Sequence, residues 1–170
     1  MVTVTYIQCC LVGEPYNKLI YVDISKNKPL AESHFTMKDV DKISISPKNS
    51  HLICASGENS IRIFKVEEYA FKPLDEIKKL PRGRKFLGHA WYRQKMILAV
   101  TDKCEVLIIE EVKPNYYEVK QEYSNVFSEP NNEKTVITAI STFSKGFILG
   151  SNNGRFCLWV RKEEMMNYEE

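Results

Sequence analysis

The sequence has three histidines and five cysteines, the side chains best suited to bind a metal ion or to act as nucleophiles. His51 and Cys54 are three residues apart, a spacing that on a β-strand points the two side chains to opposite faces of the sheet. Cys9 and Cys10 are adjacent, so they diverge in the same way. The sequence has no Cys-x-x-Cys pair, which argues against structural zinc. We therefore expect no metal site and no cofactor.

His89 and Trp91 are two residues apart and share one face of a predicted strand. We interpret His89 as a structural histidine packed beside a core indole. The sequence has no glycine-rich phosphate loop, nucleophile elbow or His-Glu-x-x-His helix. We predict that the protein is not an enzyme. The alternative is a catalytic site assembled from distant residues, which a partnered group of histidines and carboxylates with perturbed pKa values would reveal.

Two polar features are candidate binding surfaces. Five cationic residues surround Pro81 and Gly83, namely Lys78, Lys79, Arg82, Arg84 and Lys85. They could form a solvated connecting loop or a dock for an acidic protein surface, favoured by charge complementarity. Tyr116 and Tyr117 are the second candidate, as surface aromatics or as interface residues, a role in which tyrosine is enriched. The acidic end of the chain, residues 163–170, is interpreted as a solvated tail.

Composition narrows the class of protein. The chain has 170 residues, of which 44% are hydrophobic, and a formal net charge of +2. This composition is typical of a globular protein, and the charge is too close to balance for a dedicated nucleic-acid binder. No apolar run reaches the roughly 20 residues that a membrane span needs. The odd number of cysteines, scattered through apolar stretches, indicates reduced thiols in an intracellular compartment.

The elements that must position these residues are short strands. Stretches of alternating apolar residues follow one another, separated by turns rich in Gly, Asn, Asp and Lys. The predicted strands are Val4–Cys10, Lys18–Asp23, Leu30–Phe35, Lys42–Ile45, His51–Ala55, Ser60–Lys65, Tyr69–Leu74, Phe86–Tyr92, Met96–Thr101, Glu105–Glu110, Tyr116–Tyr123, Val136–Phe143, Gly146–Gly150 and Arg155–Val160. The sequence therefore predicts an all-β fold.

The strands also repeat. Four hairpins share one pattern, with Leu19, Ile61, Val106 and Phe156 at the same position, at intervals of 42, 45 and 50 residues. A period of about 40–45 residues with four strands is typical of WD-type β-propeller blades. A polar insertion at 124–134 explains the longest interval. We predict one domain, residues 1–170, with about four blade-like units at about 2–36, 40–76, 84–124 and 135–170.

In a WD repeat, a histidine, a serine or threonine, an aspartate and a tryptophan share hydrogen bonds that fix the blade. The residues that match this pattern are Ser56 in the second unit, His89, Thr101 and Asp102 in the third, and Ser151 and Trp159 in the fourth. No unit has the full set, so apolar packing between blades must carry the stability. The residues expected to be buried between blades are Ile45, Ile53, Ile63, Leu98, Leu107, Ile140, Leu149 and Leu158.

From about Val40 to Arg161 the sequence resembles the cilia- and flagella-associated WD-repeat proteins, closest to the type numbered fifty-seven. The stretches that carry the resemblance are Ile43-Ser44-Ile45-Ser46-Pro47, Phe86-Leu87-Gly88-His89-Ala90-Trp91, Val100-Thr101-Asp102 leading into Val106-Leu107-Ile108-Ile109-Glu110, and Ser144-Lys145-Gly146-Phe147 followed by Gly154-Arg155. Their order, and the insertion between the third and fourth units, make the match more specific than any one of them. The first 35 or so residues match only in pattern.

The resemblance implies a non-catalytic protein-binding scaffold of the motile cilium, located in the cytoplasm, the cytoskeleton and the axoneme. Its implied partners are axonemal proteins, such as the tubulin doublet and the inner dynein arm, and its implied role is to support dynein assembly or regulation. The acidic surface met by the basic cluster would then be a tubulin tail. Two alternatives stay open. One is a generic intracellular WD scaffold, in trafficking or in a ubiquitin-ligase complex, and the more distant one is a propeller enzyme.

About four blades are too few to close a ring of ordinary geometry, since closure is what protects the faces of the blades. We therefore predict a partial, open propeller with an apolar blade face exposed at each end. Another polypeptide, or more of the same chain, would complete it, and the chain expressed alone would aggregate or form oligomers. We expect no nucleic-acid partner and no membrane.

Overall fold

The computed structural model describes residues 7–12, as backbone only, and residues 18–23, 25–34, 37, 40–67, 69–93, 95–127 and 135–160. This part of the chain forms fourteen β-strands. They are β1 (Ile7–Val12), β2 (Lys18–Asp23), β3 (Lys28–His34), β4 (Val40–Ile45), β5 (Leu52–Gly57), β6 (Ser60–Glu67), β7 (Ala70–Pro73), β8 (Phe86–Tyr92), β9 (Met96–Thr101), β10 (Val106–Lys113), β11 (Tyr116–Tyr123), β12 (Ile137–Phe143), β13 (Gly146–Ser151) and β14 (Phe156–Val160).

The strands form four separate antiparallel sheets in chain order, each made of neighbouring hairpins. The first sheet is β1-β2-β3, the second β4-β5-β6-β7, the third β8-β9-β10-β11 and the fourth β12-β13-β14. The predicted all-β fold of blade-like sheets is confirmed, and each predicted strand corresponds to an observed one. Among the described residues, β10 shows the largest difference at one strand end, since it pairs with β11 past Glu110 to Lys113 through an irregularity after Glu111. The predicted strand residues 4–6 and 35 and the predicted acidic tail at 163–170 lie outside the described residues. The predicted boundaries of the four units remain predictions.

The sheets stack face to face in sequence order, and each interface is an apolar cluster. The first cluster joins Leu19 and Tyr21 of the first sheet to Ile53 and Phe64 of the second. The second joins the second sheet to the third, and the third joins the third sheet to the fourth. The two middle sheets are therefore covered on both faces. This explains why every residue of β5 is buried and why that strand lacks polar alternation.

Most of the predicted core is where the sequence places it. Ile53, Ile63, Leu98, Leu107, Ile140 and Leu149 are all buried, which confirms those predictions. Ile45 is only partly buried, at the margin of the first cluster. The prediction for Leu158 is wrong, because its side chain is 56% exposed. Alternation along β14 turns Leu158 away from the third sheet, while its neighbours Cys157 and Trp159 pack against that sheet.

These two environments give a direct test of the packing. Leu107 is fully buried, so Leu107→Ala should lower the free energy of unfolding by about 2–5 kcal/mol, the usual cost of a large-to-small change in a core. Leu158→Ala is the matched control and should cost much less in the isolated chain. Chemical denaturation monitored by circular dichroism measures both. Equal losses for the two variants would contradict the assignment of their strand faces.

Candidate functional site

The basic segment, defined as residues 78–85, connects the second sheet to the third and runs beside strand β11. The Lys78 amide donates to the Tyr117 carbonyl at 3.0 Å, and the Val119 amide donates to the Lys78 carbonyl at 3.0 Å. These bonds make a parallel bridge between Lys78 and Glu118, which fastens the segment to the outer edge of the third sheet. The backbone of the segment is therefore held in place.

Two lysines of the segment form ion pairs at the surface. The Lys79 ammonium lies 2.5 Å from a carboxylate oxygen of Glu118, and the Lys85 ammonium lies 3.6 Å from Asp41. Hydrogen bonding to Glu118 raises the pKa of Lys79, and the Glu118 pKa is lowered by Lys79 and Lys120. Both lysines are thus occupied by the protein's own acids.

Arg84 forms the most buried ion pair of the segment, with Glu105. Arg84 Nε donates to both carboxylate oxygens of Glu105, at 3.1 and 2.8 Å, and Arg84 Nη2 donates at 3.0 Å. The Thr101 hydroxyl donates to the same carboxylate at 2.7 Å. Burial alone would raise the pKa of Glu105, but the bonds from Arg84 and Thr101 outweigh it and lower the pKa. The carboxylate stays ionised and anchors the segment to the turn between β9 and β10.

Three of the five cations in the basic segment are therefore neutralised within the protein. The other two cations of the segment, Lys78 and Arg82, are exposed and form no ion pair with the described residues. The docking role of the segment remains a prediction and rests on these two residues.

The two candidate tyrosines lie on opposite faces of β11. Tyr117 is 2% exposed and belongs to the cluster between the second and third sheets, so it packs as a core residue in this fold, and its partner-binding role remains a prediction. The reason is strand alternation on an outer strand that still packs against a neighbouring sheet. Tyr116 is partly exposed, with the Lys113 ammonium 4.6 Å from the centroid of its ring. Its binding role remains a prediction.

His89 is the centre of a buried polar network that joins two sheets. Its Nε2 lies 2.6 Å from the Ser44 hydroxyl, and its Nδ1 lies 2.8 Å from the Ser56 hydroxyl. Trp91 Nε1 donates to the Ser44 hydroxyl at 2.9 Å. His89 and Trp91 stand on β8 of the third sheet, whereas both serines belong to the second sheet. Both ring nitrogens of His89 are therefore engaged across the sheet interface and not with Thr101 or Asp102 of its own sheet.

This network has the properties of a structural element. His89 is fully buried, and burial, with a smaller contribution from the charge of Lys42, lowers its pKa to about 3. The imidazole is neutral near pH 7, so one ring nitrogen donates a hydrogen bond and the other accepts one. Sequence reasoning found His89, Trp91 and, as the serine of the second unit, Ser56. It did not predict a role for Ser44 or the bonds from both serines to His89 of the next sheet. A signal was present, since both serines interrupt apolar strands at positions that face the following sheet.

Thr101 and Asp102 begin a turn that recurs 50 residues later at Ser151 and Asn152. Asp102 accepts a bond from the Lys85 amide at 3.0 Å, and its own amide donates to the Lys85 carbonyl at 2.9 Å. Asn152 makes the same two bonds with Val136, at 2.9 and 3.0 Å. In both turns the residue two positions after Asp102 or Asn152 has positive φ, at Cys104 and Gly154. Each turn thus fastens the start of its sheet's first strand.

Trp159 lies in an aromatic cluster between the third and fourth sheets. Its ring stacks on Phe147, with centroids 5.6 Å apart, and lies 4.6 Å from the ring of Tyr123. These rings line a groove of about 360 Å³ together with Arg93 and Lys120. Trp159 Nε1 is buried and has no hydrogen-bond partner within the described part of the chain. Trp159 therefore contributes here through packing.

No group of three or more metal-ligating side chains occurs among the described residues. The same part of the chain contains no helix with the length and hydropathy needed to cross a membrane.

Comparison with known proteins supports the fold and gives one lead on function. No protein-family model matches the chain. The chain is 24% identical over 193 residues to cilia- and flagella-associated protein 57 of the mouse, Mus musculus. That alignment covers 92% of this chain but only 15% of the mouse protein. This chain thus spans about one seventh of the length of its relative.

Solved structures with the same fold include β-propellers. The β-propeller domain of Cps50 (Swd1) from Myceliophteria thermophila matches with a TM-score of 0.67 and 14% identity, over 91% of this chain and 51% of that one. A complex of KlAtg21 with the coiled coil of AgAtg16 matches with a TM-score of 0.61 and 14% identity, over 93% and 50%. A structure of ctPRC2 in complex with H3K27me3 and H3K27M matches with a TM-score of 0.64 and 12% identity, over 87% and 32%. The chain is therefore a set of WD-type β-propeller blades in a partial, open arrangement.

The His89 network predicts a compensated exchange. His89→Ile should lower the free energy of unfolding by about 1–3 kcal/mol, because it removes the imidazole partner of the buried Ser56 hydroxyl, while the Ser44 hydroxyl keeps its bond from Trp91 Nε1. Adding Ser56→Val should recover part of that loss by removing the stranded hydroxyl. Urea denaturation of the single and double variants measures the recovery. A double variant that is weaker by the sum of its separate losses would contradict the proposed coupling.

The same residue predicts a dependence of stability on pH. The folded-state pKa of His89 is about 3, below its ordinary value of 6.5, so the unfolded chain binds the proton first. Its contribution to stability is complete above about pH 6.5 and decreases as the pH falls toward 3. The His89→Ile variant lacks this contribution and keeps the carboxylates of the parent chain. Thermal melts of both proteins between pH 7 and 4 should therefore converge, and parallel curves would contradict a neutral buried His89.

Proposed function

We propose that this protein is a non-catalytic, protein-binding scaffold of the motile cilium, acting on the axoneme in the cytoskeleton. The observation that carries the proposal is the similarity to cilia- and flagella-associated protein 57 over nearly the whole chain. In the finer form of the proposal, the scaffold contacts the doublet microtubule near the inner dynein arms. There it supports the assembly or regulation of dynein.

The chemistry of the described residues favours binding over catalysis. The buried histidine has both ring nitrogens occupied by serine hydroxyls, and its lowered pKa keeps it from accepting a proton near pH 7. The buried carboxylate of Glu105 is held ionised by Arg84 and Thr101. These groups are committed to structure, so the surface is what remains for function.

The surface that suits an acidic partner lies where the basic segment meets the second sheet. A groove of about 340 Å³ runs between β6 and residues 74–82. Four cations and two acids line it, so positive charge is in excess although Arg62 lies 4.0 Å from Glu76; the charged residues are Arg62, Lys78, Lys79, Arg82, Asp75 and Glu76. The groove exists because β7 pairs with β6 only from Phe64 to Glu67, which leaves the first half of β6 uncovered by a strand. An extended acidic segment, such as a tubulin tail, fits a groove of this charge and shape.

The proposal is tested by retention on axonemes. The tagged chain is expressed in ciliated cells, the membranes are removed with detergent, and the fraction left on the doublets is measured by immunoblot. Lys78→Glu with Arg82→Glu should reduce that fraction, and added salt should weaken the retention of the unmodified chain, because exposed charges are screened over about 8 Å at physiological ionic strength. Lys28→Glu with Lys48→Glu, two exposed lysines outside the groove, is the matched control and should leave retention unchanged.

Two results would redirect the proposal. A chain found wholly in the detergent-soluble fraction would contradict the axonemal role. It would favour a generic WD scaffold, a role consistent with solved propellers of the same fold that are in complexes. Equal retention of the two charge-reversal variants would show that the basic segment does not bind the axoneme and is only a solvated connection between sheets.

A further inference from the structure

The face of the fourth sheet that points away from the third sheet is apolar and exposed, and we name it the rear face. Its largest side chains on β14 are Phe156, Leu158 and Val160, which are 77%, 56% and 55% exposed. Phe143 and Ile148 join them, since cross-strand pairing places Phe143, Gly146 and Val160 in one row and Ser141, Ile148 and Leu158 in the next. No charged side chain lies among these paired residues. An apolar patch of this kind marks a binding surface.

The repeat shows what covers such a face. Ile61 of the second sheet and Val106 of the third occupy the same repeat position as Phe156 of the fourth. Ile61 pairs with Ser56, Val106 pairs with Val100, and Phe156 pairs with Gly150. Ile61 is 3% exposed and Val106 is fully buried, because the following sheet packs on each of them. The rear face of the fourth sheet thus has the composition of an interior sheet interface.

Two of the three covered interfaces, those on either side of the third sheet, also show how residues pair across sheets. His89 of the third sheet and Ile140 of the fourth occupy the same position, each across from the second strand of its own sheet. His89 enters between Ser44 and Ser56 of the sheet before it. A polar ring therefore meets two small polar residues.

Ile140 meets apolar residues instead. The positions equivalent to Ser44 and Ser56 are Ala90 and Val100 in the third sheet. Ile140 and Val100 belong to one buried cluster, and Cγ2 of each lies within 4 Å of the point where a side chain on Gly88 would begin. In both cases, therefore, the polarity of the two residues on one sheet matches the polarity of the residue that packs on them from the next sheet.

On the rear face of the fourth sheet, this pair of positions holds Ser141 and Gly150. Both are small, and Ser141 supplies an exposed hydroxyl. The pair resembles Ser44 and Ser56 more than Ala90 and Val100. We propose that the rear face binds a further β-sheet of the same repeat type, whose first strand places a hydrogen-bonding ring, a histidine, over Ser141 and Gly150.

A second copy of this chain is a poorer occupant. In a head-to-tail contact, its first sheet would have to pack on the rear face. The free side of that sheet carries Ile20 and Val22, but also the ion pair of Lys18 and Glu32, which would lose its hydration in the contact. The solved propellers of Cps50 and KlAtg21 support the chosen occupant, because this chain covers only about half of each.

The test supplies a sheet of known chemistry. A second copy of residues 74–127, which contains the His89 strand, is attached after Glu170 of the full chain. Leu158→Cys then reports the exposure of the rear face through its rate of reaction with a thiol reagent, read by peptide mass spectrometry. The attached sheet should slow that reaction about tenfold or more, as expected when the covered state dominates. Val112→Cys, at an exposed position of the third sheet, is the control for intact folding and should react at the same rate with and without the addition.

A second version of the fusion carries isoleucine in place of the copied histidine. It should protect position 158 poorly, and Ser141→Ala with Gly150→Val should restore protection by recreating the pair of the third sheet. A Cβ at position 150 would lie an ordinary 3.5 Å from the Ala139 Cβ, so the backbone leaves room for a side chain to begin there. Unchanged labelling at 158 with the histidine version, whether the added sheet folds elsewhere or stays unfolded, would overturn the proposal. Equal protection by the histidine and isoleucine versions would overturn the assignment of the ring.

Discussion

The constraint on which this structure depends is that its sheets carry apolar side chains on both faces. A single antiparallel sheet of this kind cannot be stable in water, because one face at least would expose a continuous hydrophobic surface. The second and third sheets meet the constraint by being packed between neighbours, as the full burial of β5 shows. The stacking of sheets in chain order follows from it, and so do the positions of the polar groups.

Polar groups that enter these interfaces are paired, because an unpaired buried polar group costs about 1–3 kcal/mol. His89 bonds to two serines of the preceding sheet, and Arg84 bonds to Glu105 beside Thr101. His89, the histidine of the WD pattern, and the nearby Trp91 bond to the preceding sheet, whereas Trp159, the tryptophan of the pattern, contributes through packing. A degenerate repeat can therefore keep its stacking order, since the bonds select which sheet face meets which.

This use of polar residues also limits what the protein can do. Groups that sequence alone would offer for recognition, such as Arg84 and Tyr117, are spent on packing the second sheet against the third and on fastening the connection between them. Among the described residues, the surfaces that remain for binding include the groove beside β6 with Lys78 and Arg82 and the apolar rear face of the fourth sheet. Both are surfaces for macromolecules, in keeping with a scaffold.

The sequence alone determined the strands and their repeat, because alternation and turn residues act over a few neighbours. It predicted β8, β9 and β11 to the residue, and it marked Leu107 and Leu149 as core. Only the tertiary structure decided which apolar residues are covered, since Val106 and Phe156 have the same local pattern but only Val106 has a sheet packed on it. The partners of charges and polar rings, Glu105 for Arg84 and Ser44 for His89, are likewise 21 and 45 residues away in the chain. Pairing over such distances depends on how the sheets stack, which no local pattern encodes.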